Sequence, residues 1–302
     1  MAKPADGSEM ARELGPRSDR ATAGDGVSLA MYAWGPTRDQ RAAPIVLLHG
    51  LASSARSWDG VADRLAAGGH SVHAVDFRGH GSSDRPEDGY DLATYASDLA
   101  AAIDALGRAG LKRPLLVGHS LGAMVILEAV ARQPELGRGV VLVEGGLVDA
   151  SVQYATLEEC LAKLKLPPVG GMPAARVEGF LRASNPGWSP ERLAAAMAAF
   201  DVCGDATVEW RLTPPHFESL IRSMWDQHAP KLWPAVHVPM LIIAADTGDA
   251  VWTAQKREAA AAAALLAPAV RVEWLIGEHA IHEAQVEAVA SLLLAAAADL
   301  EG

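Results

Sequence analysis

Short apolar runs that end in glycine or a charged residue alternate along this chain with longer segments whose apolar positions recur at helical spacing. That alternation is the pattern of an α/β fold on a largely parallel sheet, whose strands are covered on both faces and so read as continuous apolar stretches. It predicts an early edge strand at 27–34 (VSLAMYAW) and buried strands at 44–48 (PIVLL), 71–76 (SVHAVD) and 114–118 (PLLVG). Three more follow at 139–144 (GVVLVE), 239–245 (PMLIIAA) and 270–276 (VRVEWLI). Helices are predicted at 55–67, 91–107, 121–132, 253–266 and 283–298, where alanine and leucine dominate and Gly or Pro marks most ends. The alanine block Ala259 to Ala264 is therefore surface helix.

Between about 147 and 237 the alternation breaks, and Pro167, Pro168, Gly170, Gly171, Pro186, Pro190, Pro214 and Pro215 separate short helical pieces. This stretch is expected to be an inserted helical cap on a core formed by 25–146 and 238–302. Trp188, Trp210, Trp225 and Trp233 fall within it; they either line an apolar pocket or form the cap's own small core.

Composition narrows the class. With 302 residues, half of them apolar and 21% charged, the chain can bury a large core as one domain carrying an insertion. Residues 1–24, rich in Pro, Gly and charge without an apolar block, are expected to be a flexible leader. No apolar stretch reaches the roughly 18 residues needed to cross a bilayer, so no membrane span is expected. Cys160 and Cys203 lack metal-ligand spacing and are expected to be buried fillers in a reducing cytoplasm. The net charge of −11 is spread along the chain with no basic, aromatic-interleaved cluster, which argues against nucleic acid as a partner.

Candidate chemistry centres on Gly118-His119-Ser120-Leu121-Gly122, a G-x-S-x-G run between a predicted strand and a predicted helix. In that setting the serine sits on a tight, strained turn and is exposed at the top of the sheet. A serine hydroxyl is a weak nucleophile at neutral pH and needs a base to take its proton. His279 follows the last predicted strand at a Gly277-Glu278 turn, which puts it at the strand ends, where open α/β sheets bind ligands. His282, three residues on, is expected to pack or cap locally. Backbone amides must receive the charge on the attacked carbonyl oxygen. The His49-Gly50-Leu51 turn offers the Leu51 N–H, and the start of the next helix offers that of Leu121.

The ordered set HGLASSARSW, DFRGHGSSDRP, GHSLGAM, VVLVEGG and GEHAIHEAQVEAVA resembles the α/β-hydrolase family over nearly all of 25–300. That resemblance implies an eight-stranded sheet with its second strand antiparallel, a cap after the sixth strand, and a nucleophile, acid, histidine triad in chain order. Ser120 matches the nucleophile, His279 the base, and the Leu51 and Leu121 amides the oxyanion hole, while Arg78 to Ser83 matches a loop of structural role in which His80 has no catalytic task. The acid is open. Where most members carry it, this chain has Gly248, flanked by Asp246 and Asp249. Glu144, at the end of the sixth strand, matches the position at which certain haloalkane dehalogenases and zearalenone lactonases use a glutamate, and it is the preferred candidate.

Members with an aspartate nucleophile, the dehalogenases and most epoxide hydrolases, are disfavoured by Ser120. What the resemblance implies is a cofactor-free and metal-free serine hydrolase cleaving a bulky, hydrophobic or aromatic small-molecule ester or lactone through an acyl-enzyme. A carbon–carbon bond hydrolase or amidase of the same fold, or a low-turnover ligand receptor, is the alternative, and a homo-oligomer is left open.

Overall fold

In a computed structural model, which describes residues 16–36, 43–267 and 269–300, the apolar runs pair into one eight-stranded sheet. Its strands are β1 (Arg17–Thr22), β2 (Ser28–Trp34), β3 (Ile45–Leu48), β4 (Val72–Val75), β5 (Leu115–His119) and β6 (Gly139–Val143). A separate two-stranded ribbon, β7 (Phe200–Val202) and β8 (Val208–Trp210), lies in the insertion, and β9 (Met240–Asp246) and β10 (Val270–Ile276) complete the sheet. The order across it is β1-β2-β4-β3-β5-β6-β9-β10. Only β2 runs antiparallel to its neighbours; all other adjacent pairs are parallel.

Strand alternation sorts the core into two layers. In β3, Ile45 and Leu47 face one side and Val46 and Leu48 the other; Val141 and Val143 alternate with Val140 and Leu142 in β6 in the same way. One side is covered by α1 (Asp59–Ala67), the other by α2 (Leu92–Arg108) and α3 (Leu121–Arg132). Each fully buried Leu, Ile or Val contributes on the order of 1.5–3 kcal/mol, so these central strands anchor everything attached to their ends. Asp91 caps α2, its Oδ1 accepting the Thr94 N–H at 2.9 Å.

The insertion between β6 and β9 carries α4 (Ala150–Gln153), α5 (Leu157–Lys163), α6 (Ala174–Ser184), α7 (Pro190–Met197), α8 (Pro214–Asp226) and α9 (Ala229–Leu232). After β9 come α10 (Ala250–Leu266), α11 (Ile281–Ala284) and α12 (Val286–Asp299), with α12 on the α1 side of the sheet. No helix among the described residues is long and apolar enough to cross a membrane.

Four expectations need correction. The strand expected at the sheet edge, 27–34, is β2, which pairs on both sides, with β1 outside it and β4 inside. Residues 17–22 are not leader but strand β1, and residues 1–15 lie outside the described residues. Its sequence, RSDRAT, has one buried residue and no apolar alternation, because an edge strand held by backbone pairing to β2 needs none. The helix expected at 283–298 is two, divided at Gln285, whose φ of −126° and ψ of 56° are not helical. Cys203 is exposed, whereas Cys160 is buried as expected.

Candidate active site

Register brings the loops of interest to one edge. Leu48 pairs with Gly118, His119 with Val143, Val143 with Ile243, and Ile276 with Asp246, so the turns after β3, β5, β6, β9 and β10 emerge together.

Ser120 occupies the turn from β5 into α3 with φ 52° and ψ −113°. A non-glycine residue held there costs on the order of 1–3 kcal/mol, so its surroundings must impose it. They do so by close backbone approach. A methyl group on Gly118 would lie 2.4 Å from the Gly122 carbonyl, and one on Gly122 would lie 2.5 Å from the Leu48 oxygen. The Ser120 N–H donates to the Val143 oxygen at 2.9 Å, tying the turn to β6. The glycines of the motif are thus the condition for β3, β5 and α3 meeting at this point.

Glu144 leaves β6 in an equally rare conformation, φ 49°, with its side chain 5% exposed. Its Oε2 faces His279 Nδ1 at 3.5 Å. Oε1 accepts the Ala245 N–H at 2.5 Å and the Lys256 ammonium at 3.0 Å. Burial opposes charge on Glu144, but the His279 ring, the Ala245 amide and Lys256 outweigh it and hold the carboxyl below its ordinary range. His279 is itself 60% exposed on the loop after β10. Its backbone is fixed by His119, whose Nε2–H donates to the His279 carbonyl oxygen at 2.9 Å. The residue before the serine therefore holds the loop of the histidine.

Asp246 and Asp249 serve elsewhere. Asp246 Oδ1 accepts from Thr253 Oγ1 and the Gly248 N–H, both at 3.1 Å. Asp249 caps α10, accepting the Val251 and Trp252 N–H groups at 2.9 and 3.0 Å. Among the described residues it is Glu144 whose carboxylate stands against His279.

The two amides expected to receive an oxyanion belong to turns at this edge of the sheet. Leu121 opens α3, where an N–H has no intrahelical acceptor. Leu51 lies on the turn after β3, which is braced by two buried histidines. The Ala52 N–H donates to His80 Nε2 at 3.3 Å and His80 Nδ1–H to the Arg78 oxygen at 3.0 Å. His49 Nδ1–H donates to the Gly50 oxygen at 2.7 Å, and its Nε2 accepts the Phe77 N–H at 3.1 Å. Burial keeps both neutral, lowering His49 to about 4 and His80 to about 3. A methyl on Gly50 would meet His119 Nδ1 at 2.8 Å. Asp76, fully buried, takes the Ala55 and Ser82 N–H groups at 2.7 Å each, joining this turn to the 78–83 loop. His282 packs between Trp58 and His119 with ring centroids 4.3 and 4.2 Å away.

Sequence reasoning missed Lys256. The signal was there: Thr253, Lys256, Ala260 and Ala263 recur at helical spacing and form the buried stripe of α10, which puts a lysine on an inward face.

A cavity of about 320 Å³ opens beside His279 and Glu144, walled by Leu147, Tyr154, Leu164 and Trp252. Gly145, packed against the Ser120 carbonyl, is part of its wall; Ser120 is not. Nor do the four tryptophans of the insertion line it. Trp233 is fully buried and donates to the Gly146 oxygen at 3.2 Å, Trp210 stands 4.3 Å from Phe200, and Trp188 lies under Arg192 at 4.5 Å. Trp233 packs into the main core, and Trp210 and Trp188 pack within the insertion. No group of three or more His, Cys, Asp or Glu among the described residues is placed to hold a metal ion.

A family model described as "Alpha/beta hydrolase family" matches residues 45–292. Over 111 residues the chain is 40% identical to a non-heme chloroperoxidase of Streptomyces lividans, covering 37% of this chain and 38% of that protein. Over 114 residues it is 39% identical to a bifunctional esterase/perhydrolase of Acinetobacter calcoaceticus, covering 37% and 39% respectively. The chain thus matches about two fifths of the length of these relatives. The solved structure of an E-2-(acetamidomethylene)succinate hydrolase superimposes with a TM-score of 0.74 at 23% identity, covering 92% of this chain and 98% of that one, a likeness of fold.

Proposed function

The chain belongs to the alpha/beta hydrolase family, and from that premise we propose that it is a serine hydrolase cleaving a hydrophobic ester or lactone through an acyl-enzyme. The observation that carries this reading is the combination at one sheet edge of Ser120 on its strained turn with His279 faced by the buried Glu144. Ser120 Oγ attacks the carbonyl carbon as His279 takes its proton, and the Leu51 and Leu121 amides receive the oxygen as it becomes negative. Glu144 at Nδ1 selects the tautomer that leaves Nε2 free as the base and stabilises the imidazolium that forms. The leaving alcohol takes that proton, and a water activated by the same histidine releases the acid.

The preference for an apolar or aromatic substrate rests on the walls of the cavity beside His279, Leu147, Tyr154, Leu164 and Trp252; its volume stands at the lower end of the ~300–1,000 Å³ usual for small-molecule sites. Support for an ester comes from the esterase/perhydrolase relative, whose name describes that protein.

A fluorophosphonate label read by intact mass tests the nucleophile directly. One adduct per chain, placed on Ser120 by peptide mapping, is expected. Ser120→Ala is expected to lose the adduct and to lose at least about 10⁴-fold in turnover of p-nitrophenyl butyrate or an aromatic lactone. An unlabelled native protein, or a Ser120→Ala variant as active as the native one, overturns the proposal.

A further inference from the structure

The Glu144 carboxylate is shared between the His279 ring and the Lys256 ammonium. Lys256 Nζ lies 3.0 Å from Oε1 and 3.3 Å from Oε2, and it also donates to the Ala245 carbonyl oxygen. An ammonium carries three protons, and these three acceptors occupy them. Both side chains are almost wholly buried, at 4% and 5% exposed, so neither charge is stable there without the other. The terminal torsion of a glutamate is broad and roughly two-fold, so a carboxylate reaching out from β6 has no preferred facing of its own.

The geometry points to Lys256 as a positioning residue for the relay: its ammonium, with the Ala245 amide, engages Oε1 and fixes the carboxylate plane so that Oε2 is presented to His279. This rests on the reading of Glu144 as the relay acid. A carboxylate reaching from β6 is thereby anchored by α10.

Lys256 also supports the charge it orients. Burial raises the Glu144 carboxyl, and the His279 ring, the Ala245 amide and Lys256 bring it down. Without Lys256, burial is opposed by fewer partners and the carboxyl rises. Glu144 and the base it faces bind protons as a coupled pair, and removing the positive charge of Lys256 beside them favours proton uptake, so the acid limb of the pH–rate profile moves upward. The other groups around the site stay in place: His119 from β5, lowered by burial to about 3; Glu278 and Tyr154 on the cavity wall; and Asp246 at the end of β9, bonded to Thr253 and 3.9 Å from Arg257.

The test is the rate of fluorophosphonate labelling of Ser120 between pH 4.5 and 9 in the native protein, Lys256→Met, Lys256→Gln and Glu144→Gln, each checked for folding by thermal melt. In Lys256→Met the acid limb is expected to move up by about one pH unit, a roughly tenfold loss of rate below the limb. Lys256→Gln, which keeps a donor without the charge, is expected to recover part of the plateau rate while keeping the displaced limb. It supplies the reading if Lys256→Met does not fold. A folded variant with a lowered plateau and an unmoved limb overturns the proposal, because a merely structural lysine gives that pattern. A native protein that takes no label, or a Glu144→Gln variant that labels at the native rate, instead overturns the relay on which the proposal stands.

Discussion

The turns after β3, β5 and β6 leave no room for a methyl group, whereas the segment between β6 and β9 is fastened to them by side chains. At the turns, the backbones of β3, β5, β6 and α3 approach one another at Gly118, Gly122 and Gly145, and neutral histidines fill the remaining hydrogen bonds. In the insertion α5 and α6 bury one residue each and Phe180 and Val202 are exposed; Leu220, Ala229 and Trp233 pack into the main core, while α7 and the β7–β8 ribbon are linked to it by polar contacts. Arg192 pairs with Glu283, Arg85 with Asp201, and Gln227 donates to the Met124 oxygen. The groups to which the proposed function assigns bond breaking sit where the fold is over-determined. Those that bound the substrate side sit where local opening costs least.

A single methyl group should expose this contrast most strongly. The added carbon of Gly122→Ala meets the Leu48 backbone, which cannot turn aside, and a loss on the order of 3–5 kcal/mol in chemical denaturation is expected, together with loss of Ser120 labelling. Gly179→Ala in α6 has nothing within 4 Å of its added carbon and is expected to stabilise by about 0.5–1 kcal/mol through helix propensity. Equal and small effects at the two glycines would remove the distinction.

Acid should act on the same side of the comparison. Burial holds His49 and His73 down to about 4 and His80 and His119 to about 3. Between pH ~6.5 and those values the unfolded chain binds protons that the folded chain refuses, so stability falls as pH falls. Each such histidine contributes a slope of up to about 1.4 kcal/mol per pH unit, partly offset by Asp76 and Asp98, whose carboxyls are raised by burial and favour the folded state in acid. Denaturant titrations at pH 7, 6 and 5 are expected to show a progressive loss of stability; a flat profile would mean that these rings are not held neutral.

Much of this was legible in the sequence because the core strands are covered on both faces and must be apolar throughout. The runs PIVLL, GVVLVE and PMLIIAA have no other reading at that length, and GHSLG between a strand and a helix leaves little freedom for Ser120. β1 was illegible for the opposite reason: RSDRAT is paired through its backbone and buries one side chain, so no periodicity marks it. The acid of the proposed relay stayed open because Glu144, Asp246 and Asp249 all lie at strand ends, and only the tertiary position of His279, held by His119, decides which carboxylate it faces. Lys256 was overlooked although its helical stripe was visible, since a lysine in an alanine-rich helix is ordinarily solvated and only the unpaired charge of Glu144 explains why it turns inward.

The smallest effect should come from loosening the insertion. Arg192, on α7, donates to Glu283 at 2.8 Å and lies over Trp188, with the ion-pair side chains 23% and 18% exposed. Such a half-buried pair contributes about 1 kcal/mol or less, so Arg192→Met is expected to shift global stability by no more than that. Its result should be local. Amide exchange around α7 is expected to quicken, because the latch to the α11 side of the core is gone, while the labelling rate of Ser120 stays within twofold of native, since none of the backbone contacts that fix its turn involves α7. Peptide-resolved exchange on the labelled and unlabelled proteins measures both. A tenfold fall in labelling would mean that the insertion helps to hold the reacting groups, and the boundary between the rigid turns and the loosely fastened segment would have to move beyond α7.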